Sequence, residues 1–211
     1  MSKKRKNIVT PKGIASWPRL NSPDTKWNAD GVYKTGLVLT PEESEDLRET
    51  LDTIAEEGWK KAIEEEKKPA AKKKLQKFTY QPPYKPEEDE EGNETGNYVF
   101  NFKTNATYKD RSTGESKKKN LTLVDAKKNP VGELVGSGST IRVSFTPGDY
   151  QMPSAQKYGV ACYLDAVQVL ELVAVGGGGV DVFDEEDGFE SEEDPTDAED
   201  VKDDDGDEDD F

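Results

Sequence analysis

Residues 180–211 cannot build a core. They carry 19 Asp and Glu residues against one base, Lys202. Such a block repels itself and holds too little apolar surface to offset the entropy of ordering, so a disordered tail is expected. Any globular structure is thereby confined to the residues before it. Of the chain's 29 bases and 45 acids, the tail takes one and 19, which leaves 28 and 26 for residues 1–179. The body is therefore near +2 and the tail −18, and the net −16 describes neither. Residues 176–179 are four glycines with no Gly-Lys-Ser/Thr after them, so they read as a flexible linker and not as a phosphate loop. The tail closes with Asp207, Glu208, Asp209, Asp210 and Phe211. One ring on a polyanionic string suits partner docking, with the charges steering and the ring anchoring. A solubility tail with an incidental last residue is the other reading. A polyanion also mimics a nucleic-acid backbone, and so could compete for a basic groove on its own body.

The remaining residues suffice for one domain of ordinary size. No 18-residue apolar span is present, so no membrane helix is expected, and no apolar segment follows the basic start as a secretory signal would require. The sequons at Asn93, Asn105 and Asn120 then read as coincidence. A lone Cys162 excludes an internal disulfide framework and fits a reducing compartment. The absence of histidine removes His-based triads and His-ligated zinc. Carboxylates are plentiful, but most lie in a tail that cannot hold them in place. No catalytic residues, no metal site and no cofactor are expected. The acidic run at 203–206 lacks the spacing of a calcium loop.

Along the body, residues 1–30 read as a basic arm, Lys3-Lys4-Arg5-Lys6, followed by an irregular segment. Trp17 and Trp27 there either pack on the domain surface or stack on bases. Residues 31–39 (GVYKTGLVL) read as the first strand. Thr40, Pro41 and Glu43 then make an N-cap, a first helical residue and a capping box. Apolar residues from Leu47 to Ile63 recur at helical spacing, which predicts a helix over about 41–68 stopped by Pro69, with Gly58 as its weak point. Residues 69–97 form a long Pro-rich connection. Its Phe78, Tyr80 and Tyr84 lie among lysines, the composition either of a single-strand-binding surface or of a loop packed on the domain.

Strands follow. In 98–108, Phe100 and Phe102 alternate with polar residues and read as core. Residues 109–119 (KDRSTGESKKK) make a hairpin turn with five bases, among them Lys109 and Arg111. Further strands are predicted at 120–125, at 140–146 with Arg142 outward, and at 158–175 as a long, bent strand that Gly159 makes flexible. Pro147 to Tyr150 reads as a loop. The fold class is thus mainly β: a five-stranded OB-type barrel over 31–175, with one helix after the first strand; a strand-rich sandwich is the alternative. Lys103 and Arg142, the base-rich turn, and the rings of Tyr150 and Tyr158 would supply the basic track and stacking surfaces that single-stranded DNA needs. Ordinary solvent exposure explains the same two cations. A body near neutrality argues against strong duplex binding. An acidic adaptor or chaperone for basic proteins, acting through the tail, is the alternative function, and a metal-dependent nuclease a remote one.

Several segments together resemble the single-stranded DNA-binding proteins of short-tailed bacteriophages. They are residues 31–34 (GVYK), 100–103 (FNFK), 120–125 (NLTLVD), 141–145 (IRVSF) and 170–178 (LELVAVGGG), with the helix after the first strand and the Asp210-Phe211 terminus. The resemblance implies a non-enzymatic OB-fold protein that coats single strands in replication, recombination and repair, in the cytoplasm of an infected bacterial host. It implies a homodimer whose tail engages DNA polymerase and helicase-primase and shields the groove when DNA is absent. It also implies that Lys103, Arg142 and Tyr150 lie at the DNA surface, and Lys34 of the GVYK segment is a further DNA-binding candidate. Three positions depart from the family pattern: Asp30 stands where a base precedes the GVYK run, and Asn101 and Met152 where a lysine and a tryptophan are expected.

Overall fold

The computed structural model describes residues 6–26, 28–110 and 112–173. The expectations for the tail and its linker, for Trp27, for Arg111 and for most of the basic arm lie outside these residues. In chain order the elements are β1 Ile8–Val9, β2 Gly13–Asp24, β3 Val32–Leu39, α1 Pro41–Glu65, α2 Pro69–Leu75, β4 Thr79–Gln81, β5 Tyr84–Glu88, β6 Glu94–Asn105, β7 Thr107–Lys109, β8 Ser116–Lys118, β9 Thr122–Val124, β10 Thr140–Met152 and β11 Lys157–Glu171.

Five of these strands close a ring, β2–β3–β6–β11–β10 and back to β2. All joins are antiparallel except β6–β11, which is parallel. A five-stranded Greek-key barrel with this order is of OB type. Closure is uneven. The β10–β11 join runs from Thr140↔Glu171 to Met152↔Lys157, whereas β10–β2 meets only at Thr140↔Ile14 and Ile141↔Gly13, and β6–β11 only at Cys162↔Phe102 and Tyr163↔Lys103. Inside lie Leu37, Phe100, Ile141, Val143, Phe145 and Leu164, all fully buried, with Phe102 edge-on to Phe145 at 5.0 Å. β3, β6 and the start of β10 supply the core from every second residue, as period-two alternation requires, and the register shifts of β2 and β11 interrupt that spacing.

The ring is five-stranded as expected, but its membership differs. The segment expected to be irregular contributes β2. Pro18, Asn21 and Pro23 fall within this strand, where register shifts between Ser16 and Arg19 and between Arg19 and Asp24 absorb them, while Ala15 and Leu20 still reach the core. The strand at 120–125 is real but short. As β9 it pairs parallel to β11 outside the ring. The loop expected at Pro147 to Tyr150 is instead the continuation of β10, whose ladder with β11 is unbroken there. The barrel therefore begins well before residue 31.

Helix α1 starts as the capping box predicts: Glu43 N–H donates to Thr40 Oγ1 and Thr40 N–H to Glu43 Oε2, each at 3.3 Å. It ends at Glu65, and Pro69 opens a second helix in addition to stopping the first. Leu47, Leu51 and Ala55 cap the barrel. Gly58 does not weaken the helix. It lets α1 approach β10, since a Cβ there would stand 2.5 Å from that of Asp149. The Pro-rich connection holds α2, β4, β5 and the start of β6. Its aromatics pack: Phe78 is buried, and Tyr80 and Tyr84 donate to Asp52 of α1 at 2.5 and 3.0 Å. The burial and the Asp52 carboxylate push both phenols up, Tyr84 to about 12 and Tyr80 higher.

Candidate nucleic-acid interface

Outward residues of the barrel alternate with the core set, so register alone decides which of them meet. Arg19 of β2 stands opposite Lys34 of β3, Lys34 opposite Lys103 of β6, and Lys103 opposite Tyr163 of β11. Partners across a ladder are about 5 Å apart at Cα. The four side chains thus make one row across the barrel wall, three cations ending on a ring that is 50% exposed. Strands β3 and β6 are the second and third of the ring, the face on which OB folds take oligonucleotides. The row is bounded by acids. Lys34 Nζ lies 2.6 Å from Asp24 Oδ2, and that ion pair, with the Lys26 N–H, holds the Asp24 carboxyl below its usual range. At the far end Thr146, opposite Tyr163, donates to Asp165 at 2.7 Å.

Sequence reasoning singled out Lys34 and Lys103, and the fold brings them side by side. Arg142 is exposed on the same wall, four residues along β10 from Thr146 and so about 13 Å from the row, with its Nε donating to Thr10 O at 3.1 Å. Tyr150 lies on the opposite side of the row, also outward. It is half-buried over Gly159, its strand partner, and the burial raises its phenol. Tyr158 faces the other way, toward α1, where it stacks on Trp59 at 4.6 Å with the rings 7° from parallel and Tyr80 at 5.5 Å. Its ring is engaged between other aromatic rings, whereas that of Tyr150 lies on the backbone of Gly159.

Lys109 is exposed on β7, which forms its own two-stranded sheet with β8. The base-rich hairpin is less cationic than its composition suggests. Lys117 pairs with Asp110 at 2.6 Å, which holds that carboxyl far below its usual range, and Lys119 Nζ donates to Thr104 Oγ1 and Leu164 O. Sequence reasoning missed Arg19 and Tyr163. Arg19 lay in a segment taken as irregular. The outward position of Tyr163 was legible only from the alternation of Cys162 and Leu164. Among the described residues, no group of three or more His, Cys, Asp or Glu side chains is placed to hold a metal ion. Cys162 is buried in the core, and burial pushes its thiol up to about 12.

The family model for the single-stranded DNA-binding protein of bacteriophage T7 matches residues 12–172. The chain belongs to this family. The resemblance drawn from the sequence is thereby borne out. The chain is 31% identical over 166 residues to the single-stranded DNA-binding protein of Enterobacteria phage T3, covering 75% of this chain and 70% of that one. To the protein of the same name from Escherichia phage T7 it is 32% identical over 168 residues, with 75% and 69% covered. Among solved structures, gp2.5, the single-stranded DNA-binding protein encoded by bacteriophage T7, superposes with a TM-score of 0.67 at 25% identity, covering 89% of this chain and 99% of gp2.5. The single-stranded DNA-binding protein of bacteriophage Enc34, in complex with single-stranded DNA, matches at a TM-score of 0.53 over 81% of this chain and 89% of its own. At 11% identity that likeness concerns the fold alone. The family is described by binding and not by a reaction.

Proposed function

We propose that this chain is a non-enzymatic protein that coats and protects single-stranded DNA during phage replication, recombination and repair, in the cytoplasm of the infected bacterial host. The observation that carries this reading is the row Arg19–Lys34–Lys103–Tyr163, which crosses four strands of an OB barrel with its middle on the second and third. Three cations follow a phosphate track and an exposed ring offers a base a face to stack on. Family membership supports the same reading. Arg142 and Tyr150, on either side of the row, extend the track, and Lys109 and Arg111 contribute from the hairpin. Tyr158 supports the surface from behind by its stack on Trp59. The acidic tail competes with DNA for the row, and its end, Asp207 to Phe211, docks DNA polymerase and helicase-primase. The working unit is a homodimer.

The test is a titration of the full-length protein, and of a form lacking residues 180–211, with labelled oligothymidine and a matched duplex at two salt concentrations. Salt-sensitive binding to the single strand, tighter without the tail, is the expected result. Equal affinity for duplex and single strand would refute the reading.

A further inference from the structure

Trp17 is the most exposed large apolar side chain among the described residues, at 84%. It occupies the extra position of the β2 bulge, between the Ser16↔Gly36 and Arg19↔Lys34 pairs, with φ 47. A bulky residue in the left-handed region is strained, and a bulge re-aims its side chain. Here the strain places an indole in water, where it gains no burial. The backbone is nonetheless held firmly. Pro18 follows, and the Trp17 N–H donates to Ser137 Oγ at 3.1 Å. Trp17 lines an open cleft of about 560 Å³ together with Arg19, Lys26, Lys34 and the Asp24 that pairs with Lys34, so three cations outnumber one acid there. Two of those cations belong to the row described above, so the cleft is where that row begins.

We propose that Trp17 is a base-stacking residue and that this cleft is a terminal subsite for one nucleobase of the bound strand, whose flanking phosphates lie against Arg19 and Lys34. The inference rests on the single-strand-binding reading and adds to it a stacking position beyond the Arg19 end of the row. Size and charge both fit the occupant. The cleft is too open to enclose a ligand and wide enough for a splayed base, and its cations suit an anionic chain. The indole offers a broad aromatic face to a base, and stacking of this kind tolerates any sequence.

The experiment uses the full-length protein with Trp17→Ala and Trp17→Phe and labelled oligothymidine, and repeats each titration with an oligonucleotide carrying abasic sites. Trp17→Ala is expected to weaken oligothymidine binding about 5- to 150-fold, Trp17→Phe to restore most of the loss, and the abasic substitutions to weaken the wild type more than the alanine variant. An independent reading on the wild type is the oxidation of Trp17 by N-bromosuccinimide, followed by peptide mass spectrometry. Oligothymidine is expected to protect it. If the wild type prefers single strands but Trp17→Ala binds equally well, or Trp17 oxidises equally fast with DNA bound, the subsite is overturned and the general function stands. If the wild type shows no preference for single strands, the reading beneath both falls.

Discussion

Lys34 and Lys103 face each other across the β3–β6 ladder, and like charges directly opposite on a sheet destabilise it. At about 5 Å in water the Coulomb repulsion is about 0.8 kcal/mol, and divergence of the two flexible heads and salt screening reduce it to a few tenths. Replacing Lys103 with Gln should therefore leave the fold as stable or raise the melting temperature by about 1 °C. DNA binding should change in the opposite direction. If Arg19, Lys34 and Lys103 each neutralise one phosphate, the slope of log affinity against log salt is about −2.1, and losing one contact brings it to about −1.4. Over a tenfold rise in salt the wild type would lose about 130-fold in affinity and the variant about 25-fold. The two forms should differ most at low salt and converge at high salt. Fluorescence anisotropy with oligothymidine across a salt series, beside a thermal melt, reads both quantities. A variant that melts earlier with an unchanged salt slope would show that Lys103 serves the barrel and not the ligand.

Three further predictions follow from the same geometry. Asp24→Asn frees Lys34 from a 2.6 Å ion pair, so single-strand affinity should rise with a steeper salt slope, while the fold, losing only a solvent-exposed pair, should be little changed; unchanged affinity would mean that Lys34 does not meet phosphate. Gly159→Ala puts a Cβ 2.4 Å from Gln81 O and 2.9 Å from the Tyr150 hydroxyl, so a loss of about 1–3 kcal/mol in denaturant unfolding is expected from the overpacking, together with a shifted Tyr150. Tyr80 and Tyr84 bind their protons more tightly folded than unfolded, so their contribution is complete below about pH 10 and is lost as pH rises through 12 and above. Chemical denaturation should show stability falling across that window, and Tyr84→Phe should flatten the fall.

Local signals made much of this fold legible. The Thr40–Glu43 capping box, the alternation around Phe100 and Phe102, and the apolar run that became β11 each act over a few residues, and each formed as read. What failed to show was decided by distant partners. β2 carries two prolines and a tryptophan in the left-handed region, and it is a strand only because β3 on one edge offers a ladder whose register shifts accommodate them. Tyr80, Tyr84 and Tyr158 have the composition of a stacking surface, and only the position of Asp52 and Trp59 on α1 assigns them to packing. The charge row was half visible. Lys34 and Lys103 stood out singly, but that they are neighbours, with Arg19 and Tyr163 continuing the line, is a property of register between strands far apart in sequence.

One element imposes an order of events on the whole chain. β11 pairs with β10, β6, β4 and β9, and contributes Val160, Cys162, Leu164, Val167 and Val169 to the core. Among the described residues it is also the last strand to be synthesised. Until it is made, the inner faces of β3, β6 and β10 have no closing wall, β10 carries a long unpaired edge, and β6, covered by β5 over Tyr98–Phe100, is open at Phe102 and Lys103. Pairings between distant segments form slowly, and open edges with exposed apolar faces invite association between chains. Before residue 171 is made the nascent protein is expected to expose an open, adhesive sheet, and the strand that closes it is followed, after the glycine run, by a segment whose charge repels other copies.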